Sequence, residues 1–359
     1  MTTNTFNPDY CVHPGATLDE VLAERDISQA EFADRTGRPR KSINEIIKGK
    51  AAITPETALQ FEKVLGIPAR FWNARESQYR EFLARKDSDS KSVQQIRWAK
   101  QFPIRDMIKD SLVPAFAEAH RQVDALLEYF GVVSPEQFEV IWGKKQHAYR
   151  KSQAFEVDHF SLAAWLRKGE LVAQQIECAD YDPDAFHRAL VEARTLTIKP
   201  PEVFCRKLID VCRAAGVAVV FAKELPRTRV SGATHWLSPK KALLQLSLRY
   251  KTDDHLWFTF FHEAGHILLH GKKQCFLEKR GRRTGKLEAE ANRFGGDSLI
   301  PPDELKRFLS AGVVSGARVV RFARRIGIAP GIVVGRLQHD KVIHPSQLNT
   351  LKVRLKWAD

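Results

Sequence analysis

Apolar residues recur at helical spacing along the first 85 residues and divide this segment into five short helices. Leu18 and Leu22 begin one apolar stripe, and Ile43, Ile46 and Ile47 form another on a helix whose remaining positions are polar or basic. Spacings of three and four residues bring such side chains to one face of a helix. The pattern therefore predicts a small helical domain with a shared core at residues 1–85.

Capping residues stand at the expected ends of these helices. Ser28 is typical of an N-cap, and Gly37 suits the left-handed position that ends a helix. Thr54 and Pro55 occupy the N-cap and first helical position of a later helix, which Gly66 ends. The segment joining Gly37 to the basic helix is short, and a tight glycine-containing turn between two helices is typical of a helix-turn-helix.

Downstream, the hydrophobic period changes twice. Residues 86–215 begin with a polar stretch and continue as helices, which predicts a helical connector. Three short apolar, partly β-branched runs follow at 217–225, 230–237 and 242–248 and predict a small sheet. Helical periodicity returns from about Asp254. We therefore expect a mainly α protein with a small sheet, of the α+β class, with boundaries at 1–85, 86–215 and 216–359.

The formal net charge of +14 favours a polyanionic or acidic partner. No apolar run approaches the roughly 20 residues that cross a bilayer, and the first residues lack a secretory signal pattern. The five cysteines are scattered and contain no CxxC pair, which is typical of a reducing compartment. These features predict a cytoplasmic protein with no membrane partner.

The basic helix that follows Gly37 carries the candidate DNA contacts. Arginine and asparagine side chains suit guanine and adenine edges in the major groove, and lysine and glutamine side chains suit phosphates. The candidates are Gln29, Arg38, Arg40, Lys41, Ser42, Asn44 and Lys48.

The string SQAEFADRTGRPRKSINEIIKGKAAITPETALQFEKVLGIPARFWNARE resembles the lambda-repressor-like helix-turn-helix family, and more narrowly its HigA-type antitoxin branch. The similarity covers about residues 13–85. It implies binding to a double-stranded operator, with the protein's own promoter as one candidate, as a homodimer on two half-sites. It also implies a role in transcription regulation, with a toxin as one candidate partner.

The stretch FTFFHEAGHILLH contains the HExxH pattern at His262, Glu263 and His266. Histidines four residues apart share one helical face and are able to hold one Zn²⁺. Glu263 then lies beside the metal, where a carboxylate takes a proton from an attacking water. Without a metal, these imidazoles would be polar groups in an apolar segment with no evident partners.

A catalytic zinc site needs a third protein ligand and an open position. Glu288 and Glu290 lie on the next predicted helix and are about 200° apart around its axis, so only one of them faces the histidines. Helical geometry leaves the choice between them open.

The segments LSLRYKTDDHLWFTFFHEAGHILLH and EAEANRFGGDSLIPP resemble the ImmA/IrrE metallopeptidase family over about residues 215–302. The resemblance implies a minimal gluzincin-like zincin fold, zinc ligands His262, His266 and Glu290, and Glu263 as the catalytic residue. It also implies limited proteolysis of a regulatory protein, such as a repressor or a cognate toxin. Gly295 and Gly296 stand where the family has alanines, and glycine allows another backbone to approach.

Two further histidines are weaker candidates at the same site. One is His235, on a predicted strand, and the other is His270, one turn beyond His266. Either side chain would donate to an oxyanion or hold a zinc ligand in position. Two other functions remain open at this stage. One is a non-catalytic repressor or antitoxin whose zinc domain is structural or sensory, and the other is a peptidase whose helix-turn-helix binds protein.

Overall fold

A computed structural model describes residues 11–89, 93–143, 158–274 and 283–357. The chain divides into two compact units, Met1–Gln94 and Gln95–Asp359. Both are built mainly from helices, and the second contains one three-stranded sheet. The predicted fold class is therefore confirmed. No helix within the described ranges is long and apolar enough to span a membrane.

The first unit contains the five predicted helices. They are α1 (Pro14–Glu24), α2 (Gln29–Thr36), α3 (Arg40–Ile47), α4 (Pro55–Leu65) and α5 (Ala69–Asp89). The Ser28 hydroxyl accepts a hydrogen bond from the Glu31 backbone N–H, and the Thr54 hydroxyl accepts one from Thr57. Gly37 and Gly66 end their helices in the left-handed conformation, so the residues named as caps act as caps.

An aromatic cluster closes the core of this unit. Phe32, Phe61 and Trp72 are fully buried. The rings of Phe32 and Phe61 lie 5.1 Å apart and those of Phe61 and Trp72 lie 5.6 Å apart, the latter edge to face. These contacts tie α2, α4 and α5 together around the α3 isoleucines, and the polar side of α3 is left outside this core.

The helices before the sheet are α6 (Val93–Ala99), α7 (Ile104–Lys109), α8 (Ala119–Phe130), α9 (Pro135–Phe138), α10 (His159–Gln175), α11 (Pro183–Thr195) and α12 (Pro201–Arg213). A π-helical turn at 139–143 extends α9, and a 3-10 turn at 196–198 follows α11. Among the described residues these helices share their hydrophobic cores with the sheet, in the same compact unit.

The sheet consists of β1 (Val217–Phe221), β2 (Gly232–Ser238) and β3 (Lys241–Leu246) in the order β1-β3-β2. β1 runs parallel to β3, and β2 pairs antiparallel with β3 through a tight turn. β2 therefore lies at one edge of the sheet as described. The first two strands are shorter than the apolar runs that predicted them, because residues 222–231 form a loop.

The two faces of the sheet belong to different cores. Val217, Val219 and Trp236 face the core that holds the helix of the HExxH segment. Ala218 and Ala233 face the core that holds α8 and α10. Successive side chains along a strand point to opposite faces. Even-numbered and odd-numbered residues of β2 therefore face different cores.

In the described ranges after the sheet there are five helices. They are α13 (Asp253–Gln274), α14 (Arg283–Leu299), α15 (Pro302–Ser310), α16 (Gly316–Ile326) and α17 (Pro330–His339), and a 3-10 turn lies at 349–351. α13 carries the HExxH segment and packs against α14 on one side and the sheet on the other.

Asp253 begins α13 in a buried position. Its Oδ1 accepts a hydrogen bond of 2.9 Å from the Val353 N–H, whereas Oδ2 has no partner among the described residues. A Cβ at Gly331 would lie 2.5 Å from Oδ1, so the glycine lets α17 pass close to the carboxyl. Burial raises the pKa of Asp253 from 3.8 to about 6.

Asp253→Asn is expected to stabilise the protein at pH 7. Because the folded pKa lies above the unfolded one, the folded state favours the protonated acid, and stability falls as pH rises through about 6. A shift of two units corresponds to about 3 kcal/mol. Thermal unfolding at pH 4 and pH 7 should show a difference between variant and wild type that grows with pH. Asp184→Asn, an exposed first-turn aspartate of α11, serves as the control, and a pH-independent difference would contradict the prediction.

Candidate functional site

Two imidazoles project from successive turns of α13 and meet at their outer nitrogens. The Nε2 atoms of His262 and His266 lie 3.1 Å apart, and the rings stand nearly perpendicular. The helix is held by buried apolar neighbours on both sides of this pair, including Phe261 and Ile267. Rigid packing of the helix therefore fixes the two Nε2 atoms at one point.

The other ring nitrogens bind acceptors that orient the imidazoles. Nδ1 of His262 lies 2.9 Å from Oδ1 of Asn292 on α14. An amide oxygen only accepts, so this contact places the His262 proton on Nδ1 and leaves the Nε2 lone pair free. That tautomer is the one a metal at Nε2 requires.

The carboxylate that reaches both imidazoles belongs to Glu288. Its Oε2 lies 3.4 Å from Nε2 of His262, and its Oε1 lies 3.4 Å from Nε2 of His266. One ligand atom from each of these three residues falls within 4.8 Å of the others. Burial would raise the pKa of Glu288, but without a metal the two imidazoles, when protonated at Nε2, donate to its carboxylate, outweigh burial and lower the pKa to about 2.

Glu290, the expected third ligand, lies elsewhere. Its Oε2 is 3.3 Å from Nε2 of His270, and its Oε1 is 3.8 Å from the Lys286 ammonium. Two residues along a helix correspond to about 200°, so the turn of α14 that aims Glu288 at the imidazole pair directs Glu290 away from it. The described geometry therefore groups Glu288 with the two imidazoles, and Glu290 stays a prediction from the resemblance.

His270 is buried and joins His266 to Glu290. The Nδ1 atoms of His266 and His270 lie 2.9 Å apart, and His270 is 5% exposed. With Nε2 of His266 free for a metal, its Nδ1–H donates to His270, and the Nε2–H of His270 then donates to Glu290. His270 is thus placed to support a candidate ligand, which is the second of its two expected roles.

Glu263 lies beneath the edge strand, next to the imidazole pair. It is 8% exposed, and burial raises its pKa above the usual range. A Cβ added to Gly232 of β2 would stand 2.9 Å from Cγ of Glu263, so only a glycine leaves room for this side chain. A buried carboxylate of raised pKa beside a candidate metal-binding group suits proton transfer.

Small residues bring α13 and α14 close enough for these contacts. A Cβ at Gly295 would lie 3.0 Å from the His262 backbone nitrogen, and one at Gly265 would lie 3.0 Å from the Phe294 ring and 3.3 Å from Cα of Ala291. The glycine at position 295, where the family has alanine, therefore lets α14 approach the turn of α13 that carries His262. Gly296 faces the Arg336 side chain instead.

His235 does not face the imidazole cluster. Its Nε2 lies 3.1 Å from Oε1 of Glu170, whose other oxygen lies 3.1 Å from Nη1 of Arg167 on α10. Gly232 of the same strand faces Glu263, and three residues along a strand reverse the face. The structure therefore places His235 on the opposite side of the sheet from the imidazole cluster, and not at the expected cleft position.

In the first unit, α3 presents its polar side outside the core. Arg40 and Lys41 are exposed, Ser42 and Asn44 are half-buried, and Lys48 follows the helix at an exposed position. Arg40 has only a long contact of 3.4 Å with Asp34, and both side chains are 70% exposed. Such pairs contribute little, so these side chains are free to exchange partners.

Two candidate contacts already have partners within the first unit. The Gln29 amide donates to Asp19 Oδ1 at 3.1 Å. Nε of Arg38 donates to Gln60 Oε1 and so ties the turn before α3 to α4. Both residues therefore help to hold the helix pair, and contacts between distant residues of this kind are not visible in the sequence pattern.

Comparison with known protein families finds two matches. A helix-turn-helix family model matches residues 18–72, and the M78 peptidase family, described as the IrrE N-terminal-like domain, matches residues 212–338. The second match contains the imidazole cluster, the edge strand and Glu263.

Individual relatives match the N-terminal region. The uncharacterized HTH-type transcriptional regulator YddM of Escherichia coli is 34% identical over 59 residues, which are 16% of this chain and 63% of that protein. A putative antidote protein of a plasmid maintenance system from Nostoc punctiforme is 30% identical, with 21% of this chain and 85% of that chain covered and a TM-score of 0.21. An addiction module antidote protein of a HigA family from Coxiella burnetii is 30% identical, with 22% and 88% covered and a TM-score of 0.21.

The two family models fall on separate compact units, and each contains the residues singled out by motif and geometry. The chain therefore carries an N-terminal helix-turn-helix domain of the lambda-repressor-like type and a C-terminal IrrE N-terminal-like domain of the M78 peptidase family.

Proposed function

We propose that this protein is a DNA-binding transcriptional regulator, similar to antitoxins, whose C-terminal domain is a zinc-dependent peptidase that cleaves a regulatory protein. One observation supports the enzymatic part most directly. Glu288 reaches the Nε2 atoms of His262 and His266 at equal distances of 3.4 Å, and the buried Glu263 stands beside this group without belonging to it.

The DNA-binding part is supported by the polar side of α3. Arg40 and Asn44 lie one turn apart on that side, where arginine and asparagine suit base edges in the major groove, and Lys41 and Lys48 suit phosphates. Helix-turn-helix proteins usually place two copies on two half-sites. We therefore propose a homodimer on a palindromic operator, with the protein's own promoter as the first candidate.

Replacing Arg40 and Asn44 together by alanine is expected to weaken operator binding by at least about 30-fold and to relax sequence choice, because each of the two base contacts contributes about 1–3 kcal/mol. Electrophoretic mobility shifts on the protein's own promoter provide the measurement. Arg70→Ala, an exposed arginine of α5, is the matched control. Equal affinity of the double variant and the control protein would remove α3 from the interface.

The donor set suits zinc. Two neutral imidazole nitrogens and one carboxylate, with the other ring nitrogens held by Asn292 and His270, are the ligand types of a three-residue catalytic zinc site. A zinc ion held there would supply a Lewis acid that lowers the pKa of a water and polarises a carbonyl.

The chain's own residues would carry the proton and orient the substrate. Glu263 accepts the proton of the attacking water and delivers it to the leaving amine. Its raised pKa brings the acid and base forms closer in free energy near neutral pH. β2 lies at the edge of the sheet above Glu263, and an extended peptide pairing with that edge would pass the imidazole cluster.

The proposed substrate is a regulatory protein, such as a repressor or a toxin partner, cut at a limited number of bonds. A helix-turn-helix domain on the same chain would bring the peptidase to promoters, where such regulators bind. A zinc ion held by three protein ligands would leave a position open for water or substrate, as in catalytic rather than structural zinc sites.

Purified protein is expected to contain about one zinc per chain. Inductively coupled plasma mass spectrometry should find it in the wild type and not in His262→Ala or His266→Ala. His344→Ala removes an exposed histidine distant in sequence from the cluster and is the control. Metal content that is unchanged by the His262 and His266 substitutions would contradict the proposed centre.

A further inference from the structure

A hollow of the C-terminal unit has no part in the proposed peptidase chemistry. It has a volume of about 450 Å³ and lies between α7 and the loop at residues 222–231 that joins β1 to β2. This volume is within the range of small-molecule sites. Its wall contains five cationic side chains, Lys109, Lys223, Arg227, Arg229 and Arg249, and three carboxylates, Asp106, Asp110 and Glu224.

The loop on one side of this hollow is held by its backbone and its apolar residues. Leu225 and Val230 are buried. The Arg227 carbonyl accepts a hydrogen bond from the Asp158 N–H, and the Val230 carbonyl accepts one of 2.6 Å from the Ser247 hydroxyl. The guanidinium of Arg249 donates to the Arg229 carbonyl. The cationic side chains thus extend from a fixed platform, as a binding site requires.

Two of the arginines adopt a backbone conformation that side-chain-bearing residues rarely take. φ is +63° at Arg227 and +47° at Arg229. Glycine or asparagine would fit these positions with less strain. Strained residues of this kind cluster at binding and catalytic sites, where the surrounding structure holds them in place.

Most of the cations around the hollow have no acidic partner. Within the described part of the chain, no carboxylate lies within ion-pair distance of Lys109, Lys223, Arg227 or Arg229. Among the carboxylates, Asp110 is already paired with Lys168 at 3.2 Å. The hollow therefore presents uncompensated positive charge to a bound molecule.

Glu224 adds a different feature. Its Oε2 is buried and has no hydrogen-bond partner among the described residues. A buried carboxylate oxygen without a donor is costly, and rotation of this carboxylate, which lines the hollow, would present it to a ligand that brings an N–H or O–H group.

We infer that this hollow binds a small phosphorylated molecule with hydrogen-bond donors, of the nucleoside monophosphate class. The phosphate would lie against Arg227 and Arg229, because guanidinium groups bind phosphate oxygens in pairs. A hydroxyl or amino group at the other end would donate to Glu224. The size, the charge and the unsatisfied carboxylate together favour this class over a simple inorganic ion.

The position of the site gives it a route to the candidate peptidase. The loop leads directly into β2, whose first residue, Gly232, packs on Glu263. Control of cleavage by the ligand would rest on the proposed function, whereas binding itself does not. A measurement of binding alone therefore keeps a failure of this inference distinct from a failure of the peptidase proposal.

Isothermal titration of the full-length protein at 150 mM NaCl with adenosine monophosphate, inorganic phosphate and adenosine tests the inference. Adenosine monophosphate is expected to bind with a Kd below about 1 mM and tighter than either fragment. Arg227→Gln with Arg229→Gln should weaken it at least about tenfold. Glu224→Gln should reduce the advantage of adenosine monophosphate over phosphate and leave phosphate binding unchanged.

The matched control is Arg321→Gln with Arg324→Gln, which removes two exposed arginines from α16. It should bind all three probes as the wild type does. The inference is overturned if adenosine monophosphate shows no saturable binding, or if the control pair weakens it as much as the loop pair does. Circular dichroism spectra of each variant confirm that loss of binding is not loss of folding.

Discussion

Zinc affinity is expected to fall more than about 100-fold when Glu288 is replaced by glutamine, and by no more than about 10-fold when Glu290 is replaced in the same way. The first substitution removes the carboxylate that lies 3.4 Å from both ligand nitrogens. The second leaves an amide oxygen that still accepts from His270. Loss of a residue that only supports a zinc ligand costs about 10–100-fold, so loss of the ligand itself should exceed that range.

Competition with a chromophoric chelator at pH 7 measures both affinities. The two variants change the same residue type on one helix and differ by two positions, so each is the control for the other. His270→Phe, which removes the acceptor of the His266 Nδ1–H, should fall between them, at about 10–100-fold. If Glu290→Gln lost zinc while Glu288→Gln retained it, the ligand assigned by resemblance would be right and the geometric one wrong.

The helical part of the fold follows closely from local sequence signals. Ser28, Gly37, Thr54 and Gly66 predicted helix ends correctly because capping depends on a few adjacent residues. The three strands were predicted from short apolar runs, yet β1 ends earlier and β2 begins later than those runs, because residues 222–231 form a loop. Leu225 and Val230 of that loop are buried without belonging to a strand, so their apolar character extended the predicted strands.

The site was predictable to the extent that its residues share one helix. His262, Glu263 and His266 follow from their spacing alone, and His270 follows from the same period. Glu288 required the rotation of α14 relative to α13, which Gly265, Ala291 and Gly295 set through close packing. The apolar pattern of one segment does not determine how that segment is rotated against another. The sequence therefore predicted only that either Glu288 or Glu290 faces the histidines.

His235 shows the same limit for a strand. Its polarity and its position near the metal motif suggested a cleft residue, but its side chain meets Glu170 on the opposite face of the sheet. The face depends on which residue of β2 packs over Glu263, and that residue is Gly232. A shift of one position would have exchanged the two faces. Asn292, which orients His262, was not predicted as a site residue. Its position one turn after Glu288, on the same side of α14, was the only feature of the sequence that could have indicated this role.

Cleavage of the regulatory substrate is expected to fall by about 100–10,000-fold in Glu263→Gln, because general acid–base catalysis contributes about 10²–10⁴-fold and no other described carboxylate belongs to the cluster except the proposed ligand Glu288. Zinc content should stay at the wild-type level, since Glu263 is not in the ligand group. The fold should also be retained, because a neutral amide is the closer match to a buried carboxyl whose pKa is raised.

Mass spectrometry of new protein amino termini, in cells expressing wild type or variant from the same promoter, measures the cleavage even when the substrate has not been identified. Glu202→Gln, an exposed first-turn glutamate of α12, provides the matched control and should give the wild-type pattern. Termini that disappear in Glu263→Gln but persist in the control identify the substrate and the bond. If the variant with full zinc content produced the same termini as the wild type, the C-terminal domain would hold its metal without using Glu263 for proteolysis, and regulation would depend on the helix-turn-helix alone.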